Sequence, residues 1–326
     1  MQDLLKALSQ NTFIVFGRAG MDFWADPVGT RSTQASTFSA GLGGSAANIA
    51  VGLVKLGGTA DLLTSVSDDA VGWFCLNQLR GYGVGTDFVR RVGGEYRTSL
   101  AVYESVVEDF QNVIYRNSAA DFQVTTDDAL APNYTDYGVF ISSGTAASAE
   151  PSRSALFAAI EAAKSAGLPV VFDVDYRPYS WPSPDVASEM LTKVADASDI
   201  VVGNDEEFDF MAGGPGKGLA KAQSLARPGR IIVYKMGGDG AVTFADGQVI
   251  KTGIYNVEPV KPNGAGDSFM AGFLAGLAEG RDLKTALLRG SAAAAIVVSN
   301  PGCAPPLPDG PTLDAFIAAH PGPTEP

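Results

Sequence analysis

The sequence is short of the residues on which much hydrolytic and metal chemistry relies. Its 326 residues include a single histidine, His320, in a proline-rich end, and two cysteines, Cys75 and Cys303. That count rules against a Ser-His-Asp triad, a site with two histidine ligands, a cysteine-rich zinc site and a disulfide framework. No apolar run reaches the ~18 residues of a membrane span. Residues 1–10 carry an acid, Asp3, and no long apolar stretch, which makes a poor signal peptide. The expectation is a cytoplasmic protein. Basic residues are also scarce, 23 Lys and Arg against 36 Asp and Glu, a formal charge of −13. This argues against a nucleic acid or an anionic membrane as partner, although a few local arginines can still dominate a cleft that takes a small anion.

What the chain does have is apolar residues, 46% of the total, enough for a sizeable core and too many for disorder. Its length suggests two domains, or one large α/β domain with an appendage. Short apolar strands at residues 12–17, 60–66, 137–142, 169–174, 200–203 and 230–235 alternate with helical stretches such as 45–56, 69–79 and 150–166. Runs such as Val170-Val171-Phe172 are apolar on both faces, which suits central strands of a parallel sheet covered by helices on both sides. The expected fold is α/β, a three-layer, doubly wound, mostly parallel sheet. Residues 30–42 and 98–116 break this rhythm with β-type alternation and no crossover helix. They read as a small antiparallel layer projecting from the main sheet. The tail from residue 301 is dense in proline and reads as lying along the surface.

Two glycine motifs carry the chemistry. Gly41-Leu42-Gly43-Gly44-Ser45-Ala46-Ala47-Asn48 stands before a helical stretch. It suits either a turn with a serine N-cap or a loop that lets a ligand approach the backbone; it is not a Walker A loop, because no Gly-Lys-Ser/Thr follows. Asn263-Gly264-Ala265-Gly266-Asp267-Ser268-Phe269 opens a second helix. Small residues there leave several amides unpaired and aimed outward, and with the helix dipole they make an anion hole from Gly264, Ala265 and Gly266 that suits a transferring phosphoryl group. Asp267, in the first turn, is a helix cap or a general base. With no usable histidine, it is the natural candidate for the base.

In this order and about 220 residues apart, the two motifs resemble those of the ribokinase-like (pfkB-type) carbohydrate kinases. Asp22 after the first strand, Asn204-Asp205-Glu206-Glu207 and Gly237-Gly238-Asp239-Gly240 fall in the family's order. Asp173-Val174-Asp175-Tyr176-Arg177-Pro178-Tyr179-Ser180-Trp181, Val113-Ile114-Tyr115-Arg116-Asn117, residues 290–299 and Lys261-Pro262-Asn263 before Gly264 are similar to the subgroup of 5-dehydro-2-deoxygluconokinases, which act in myo-inositol catabolism. The resemblance covers nearly the whole chain and implies a single kinase domain, residues 1–326, whose lid is the β layer inserted at about 30–42 and 98–116.

The resemblance implies ATP and Mg2+ as cofactors and phosphorylation of a terminal hydroxyl, here the 6-hydroxyl of 5-dehydro-2-deoxy-D-gluconate. 2-Keto-3-deoxygluconate kinase and the fructokinase or ribokinase type are the alternatives, and a nucleotide or sugar sensor is the non-enzymatic one. It implies that Asp22, Gly43, Gly44 and Asn48 contact sugar hydroxyls, and that Arg116 and Arg177 reach the acid end. Guanidinium groups bind carboxylates bidentately. Asn204, Lys235, Gly237 and Gly240 are implied at the nucleotide, and Glu207 at the metal through water. Two copies are implied to pair through their lids as a homodimer. Lys261 departs from the pattern: many relatives place an acid there that helps hold a monovalent cation, so a potassium requirement is doubtful.

Overall fold

Strands that are apolar on both faces need cover on both sides, and the order of the elements supplies it. The computed structural model of the protein describes residues 1–323. The chain runs α1 (Gln2–Leu8), β1 (Thr12–Phe16), β2 (Gly20–Asp26), β3 (Thr37–Gly43), α2 (Ser45–Lys55), β4 (Thr59–Ser67), α3 (Ala70–Gly81), β5 (Val89–Val92), β6 (Leu100–Tyr103), β7 (Asn112–Tyr115), α4 (Thr126–Leu130), β8 (Val139–Ser143), α5 (Ser152–Ser165), β9 (Val170–Asp173), α6 (Pro184–Ala197), β10 (Ile200–Asn204), α7 (Asp205–Met211), α8 (Gly218–Leu225), β11 (Ile231–Lys235), β12 (Ala241–Ala245), β13 (Gln248–Thr252), α9 (Ala265–Ala278), α10 (Leu283–Val298) and α11 (Gly310–Ala319).

Nine strands form the large sheet in the order β13-β12-β11-β10-β9-β8-β1-β4-β5. All its pairings are parallel except those of β12 with β11 and with β13. The β12–β13 hairpin turns at Asp246-Gly247, both at positive φ (45° and 76°), as a two-residue turn that matches strand twist requires. Successive side chains leave β1 on opposite faces. Phe13 and Val15 enter a core with Ile49, Phe273 and Leu287 of α2, α9 and α10. Ile14 and Phe16 enter the other, with Leu156, Leu191 and Phe208 of α5, α6 and α7. The expected three-layer, doubly wound architecture is the observed one.

A second sheet, β3-β2-β6-β7, stands apart from the first. It corrects the expected layer in two ways. It is mixed, because β2 and β6 pair in parallel, Asp22 opposite Ala101. It also takes in residues 20–26, whereas residues 27–36 form turns and contain no strand. The alternation of β2 is inverted, with acidic Asp22 buried and apolar Met21 and Phe23 only half-buried. A period-two search for apolar residues therefore passes over it.

The tail needs a further correction. It does not simply follow the surface: Cys303, Ala304 and Leu307 are buried, and α11 buries Leu313. Lys55 Nζ ties it down, donating to the carbonyls of Pro305 at 3.0 Å and Leu307 at 2.7 Å. Cys75, on α3, packs in the core.

Candidate active site

In a doubly wound sheet the ligand crevice lies beyond the carboxyl ends of the strands, where the strand order reverses. Here the order reverses at β1, which lies between β4 and β8. A cleft of about 670 Å3 opens there, between the ends of β9, β10 and β11 and the inner face of the second sheet. Every candidate site residue from the sequence lines it except Gly43. Gly43 lies directly behind: a Cβ there would stand 2.0 Å from Oδ1 of Asp22, so only glycine leaves room for that carboxylate.

Gly264 is the N-cap of α9, at φ 83°, and no side chain caps the helix. The amides of its first turn are therefore free for an anion. Asp267 stands in that turn and accepts a hydrogen bond from Asn48 Nδ2 at 2.7 Å, which joins the two glycine motifs. Burial raises the carboxyl of Asp267 above the ordinary range, and Asp175 adds to this, while Asn48, Arg177 and Lys235 oppose it. Lys235, at the end of β11, holds its Nζ 3.3 Å from where a Cβ of Gly266 would lie, beside the same helix start.

The second sheet supplies Asp22 from β2. Burial pushes its carboxyl up to about 6, with Arg18 acting in the opposite direction. Gly44 is the N-cap of α2, at φ 98°, again with no capping side chain. Asn48, one turn on, keeps its buried Oδ1 without a partner, a free acceptor among groups expected at hydroxyls.

The two arginines differ. Arg177 is 45% exposed at its side chain, with Nη2 at 2.9 Å from Asp175 Oδ1 and Nη1 donating to Tyr176 O at 2.9 Å. Arg116 is buried. It pairs with buried Asp121, donates to Ser180 Oγ at 3.2 Å and lies over the Phe122 ring.

Asn204 caps α7, accepting from Glu207 N at 2.8 Å, while Glu207 accepts from Asn204 N at 2.8 Å and Tyr176 N at 3.2 Å. The capping role and a place in the cleft hold together. Gly237 and Gly240, at φ 53° and 84°, shape the turn between β11 and β12; a Cβ at Gly240 would stand 2.0 Å from Thr252 O. Burial raises Glu207 and pushes Asp173 well up, with Lys235 opposing in both cases. Burial and mutual repulsion disfavour negative charge on these neighbouring carboxyls, and a cation beside them, keeping its own water shell, would relieve that. Among the described residues no cluster of three or more acids, histidines or cysteines forms a direct metal cage.

Sequence reasoning assigned no role to Asp173, Asp175, Arg18 or Cys303, all of which line the cleft. The two acids had a signal, their place at the end of an apolar strand. Cys303 had none: it arrives from the tail, buried, with Sγ 3.6 Å from the Tyr103 hydroxyl. Lys261 is fully buried, and its Nζ donates to the carbonyls of Asn263 at 2.5 Å and Val297 at 3.2 Å.

Residues 10–310 match the pfkB family carbohydrate kinases. The chain is 38% identical over 310 residues to a 5-dehydro-2-deoxygluconokinase of Photobacterium profundum, covering 93% of this chain and 94% of that one. It is 34% identical over 313 residues to another from Bacillus velezensis, covering 94% of each. Among solved structures, a fructokinase with bound ATP from Xylella fastidiosa superposes with a TM-score of 0.83 at 23% identity, over 94% of this chain and 98% of that one. At that identity the likeness speaks for the fold.

Proposed function

The chain belongs to the pfkB family of carbohydrate kinases, and from this and the cleft we propose that it moves the γ-phosphoryl group of ATP to the 6-hydroxyl of 5-dehydro-2-deoxy-D-gluconate. The observation that carries the reading is Asp267, set in the uncapped first turn of α9 in the same cleft as Arg177.

Asp267 takes the proton of the attacking hydroxyl as its oxygen bonds to phosphorus and the bond to ADP breaks. The amides of Gly264, Ala265 and Gly266 face the charge of the transferring group. Asp22, Gly44 and Asn48 hold sugar hydroxyls, and Arg177, with Arg116 beside it, meets the carboxylate. Asn204, Lys235 and the turn at Gly237 and Gly240 take the phosphates. Ile254, Val257, Ala294 and Val298 offer the nucleotide base an apolar end of the cleft. Glu207, whose two oxygens already accept backbone hydrogens, and Asp173 would hold Mg2+ through water, and the ion would there supply charge to offset that of the phosphates. The second sheet acts as a lid that excludes water from a single kinase domain. Exposed Phe38, Val113 and Tyr115 on that sheet support pairing of lids in a homodimer, which the mass in solution reads directly.

The test is ATP consumption over 5-dehydro-2-deoxygluconate, 2-keto-3-deoxygluconate, fructose and ribose. The first should give the highest kcat/KM, and a higher value on fructose or ribose would refute the substrate assignment. In the same assay, exchanging potassium for a large organic cation should change the rate little. The Lys261 ammonium already places a positive charge on the loop before α9. A saturable potassium requirement would count against that role.

Asp22 makes the sugar side sensitive to acid. Burial pushes its carboxyl up to about 6, and only the ionised form accepts two hydroxyl hydrogens freely. Below about pH 6, kcat/KM should fall while kcat at saturating sugar falls less. The same limb appearing unchanged in Asp22→Asn would assign it to another group.

A further inference from the structure

Asp175 is outside every role assigned above, yet it is the most heavily bonded acid in the cleft. It follows β9 at φ 35°, a left-handed conformation open to Asp and Asn more than to other non-glycine residues, and its surroundings hold it there. Those surroundings come from three parts of the chain. Ser45 Oγ, from the first residue of α2, donates to Oδ2 at 2.6 Å. Thr145 Oγ1, from the turn after β8, donates to the same oxygen at 3.2 Å. Arg177 Nη2 pairs with Oδ1 at 2.9 Å. The side chain is buried.

We propose that Asp175 is a positioning residue of the transfer site: it ties Arg177, the start of α2 and the turn after β8 into one cluster beside Asp267, and sets the charge that Asp267 meets. The proposal rests on Asp267 being the base. Ser45 begins the helix that carries Asn48, and Asn48 donates to Asp267. Asp175 therefore fixes, through one carboxylate, both the helix that orients the base and the arginine that reads the acid end of the sugar. Arg177 needs such a tether, because nearly half of its side chain is exposed.

The electrostatics agree with the geometry. Asp267 is faced by Asp175 and Arg177 beyond β9, Lys235 at the end of β11 and the neutral amide of Asn48 on α2. Asp22 on β2, Lys261 before α9 and Asp173 on β9 lie further round. After burial, Asp175 is the strongest influence raising Asp267. Every partner of Asp175 is one a carboxylate takes: two hydroxyl donors, Ser45 and Thr145, on one oxygen and the Arg177 guanidinium on the other. A carboxylate beside an ionised neighbour releases its proton later. Removing the Asp175 charge lets Asp267 ionise at lower pH; removing Arg177 does the reverse.

The experiment is the acid limb of kcat against pH, at saturating ATP and sugar, for wild type, Asp175→Asn, Asp175→Gly and Arg177→Ala. Asparagine and glycine both tolerate positive φ, so each removes the charge without straining the backbone. The limb should move down by on the order of one pH unit in both Asp175 variants and move up in Arg177→Ala. A purely structural residue would lower the amount of active enzyme and leave the limb in place. An unmoved limb in folded variants overturns the proposal. So does failure of both Asp175 variants to fold, which would make the residue part of the scaffold. Asp267→Asn separates the two readings: if it stays active the base assignment fails, and if it is inactive while the limb ignores Asp175, only the positioning role fails.

Discussion

Asp267→Asn is expected to lower kcat by about 10²–10⁴-fold, the range for loss of a general base, with ligand binding close to unchanged. Asparagine has the shape of aspartate and can still accept from Asn48 Nδ2, so the start of α9 keeps its contacts. It cannot take a proton from the attacking hydroxyl. The only histidine, His320, is at the end of α11, stacked on Phe316, and does not line the cleft. The substitution should not cost stability either. Asp267 is raised by burial and by Asp175, so its ionised form is disfavoured by the fold. That penalty grows as pH rises through the raised value, and asparagine removes it. A variant keeping more than half of the wild-type kcat at an unchanged melting temperature would remove Asp267 from the role.

Arg177→Ala should reduce kcat/KM for the sugar acid by on the order of 10–100-fold and affect a neutral ketose much less. A charge-assisted hydrogen bond is worth roughly 1.5–3 kcal/mol, and about 1.4 kcal/mol is a factor of ten. The exposed part of the guanidinium remains available to a ligand, and Asp175 keeps Ser45 and Thr145 as partners when the arginine is gone. The fold should therefore tolerate the change. Arg116 is a different case. Truncating it strands Asp121 as an unpaired buried charge, and losing one partner of such a pair costs about 3–5 kcal/mol. A melting curve on Arg116→Ala should show that loss before kinetics show any specificity. Equal losses on acid and neutral substrates in Arg177→Ala would end the carboxylate reading and favour a fructokinase-like one.

The parts legible in the sequence were those whose signal is local. Gly264 to Asp267 could be read because glycine, helix start and carboxylate are neighbours in the chain. The large sheet could be read because strands covered on both sides are apolar throughout. Strand β2 could not, since its buried face carries Asp22 and the alternation is inverted. The contacts that place Asp175 and Cys303 in the cleft come from groups 130 and 200 residues away, Ser45 and Tyr103. No window along the chain brings those together. Arg116 was implied at the acid end of the sugar; it lines the cleft but is committed to Asp121, a buried acid five residues on.

Lys261 has a mechanical consequence too. Its hydrogen bond to Val297 spans 36 residues and closes a loop that contains all of α9 and α10 up to that point. Closing a loop removes chain entropy at its mouth, and the cost depends only weakly on its length. The mouth here is Lys261 with Val297, and the same Nζ also holds the carbonyl of Asn263, next to the amides at the start of α9. Lys261 thus acts as a reversible staple at the base of a helical hairpin. The amides at the start of α9 sit close to where the loop is fastened, while the far turn of the hairpin, near Gly280, is held separately by the ion pair of Glu279 with Arg289.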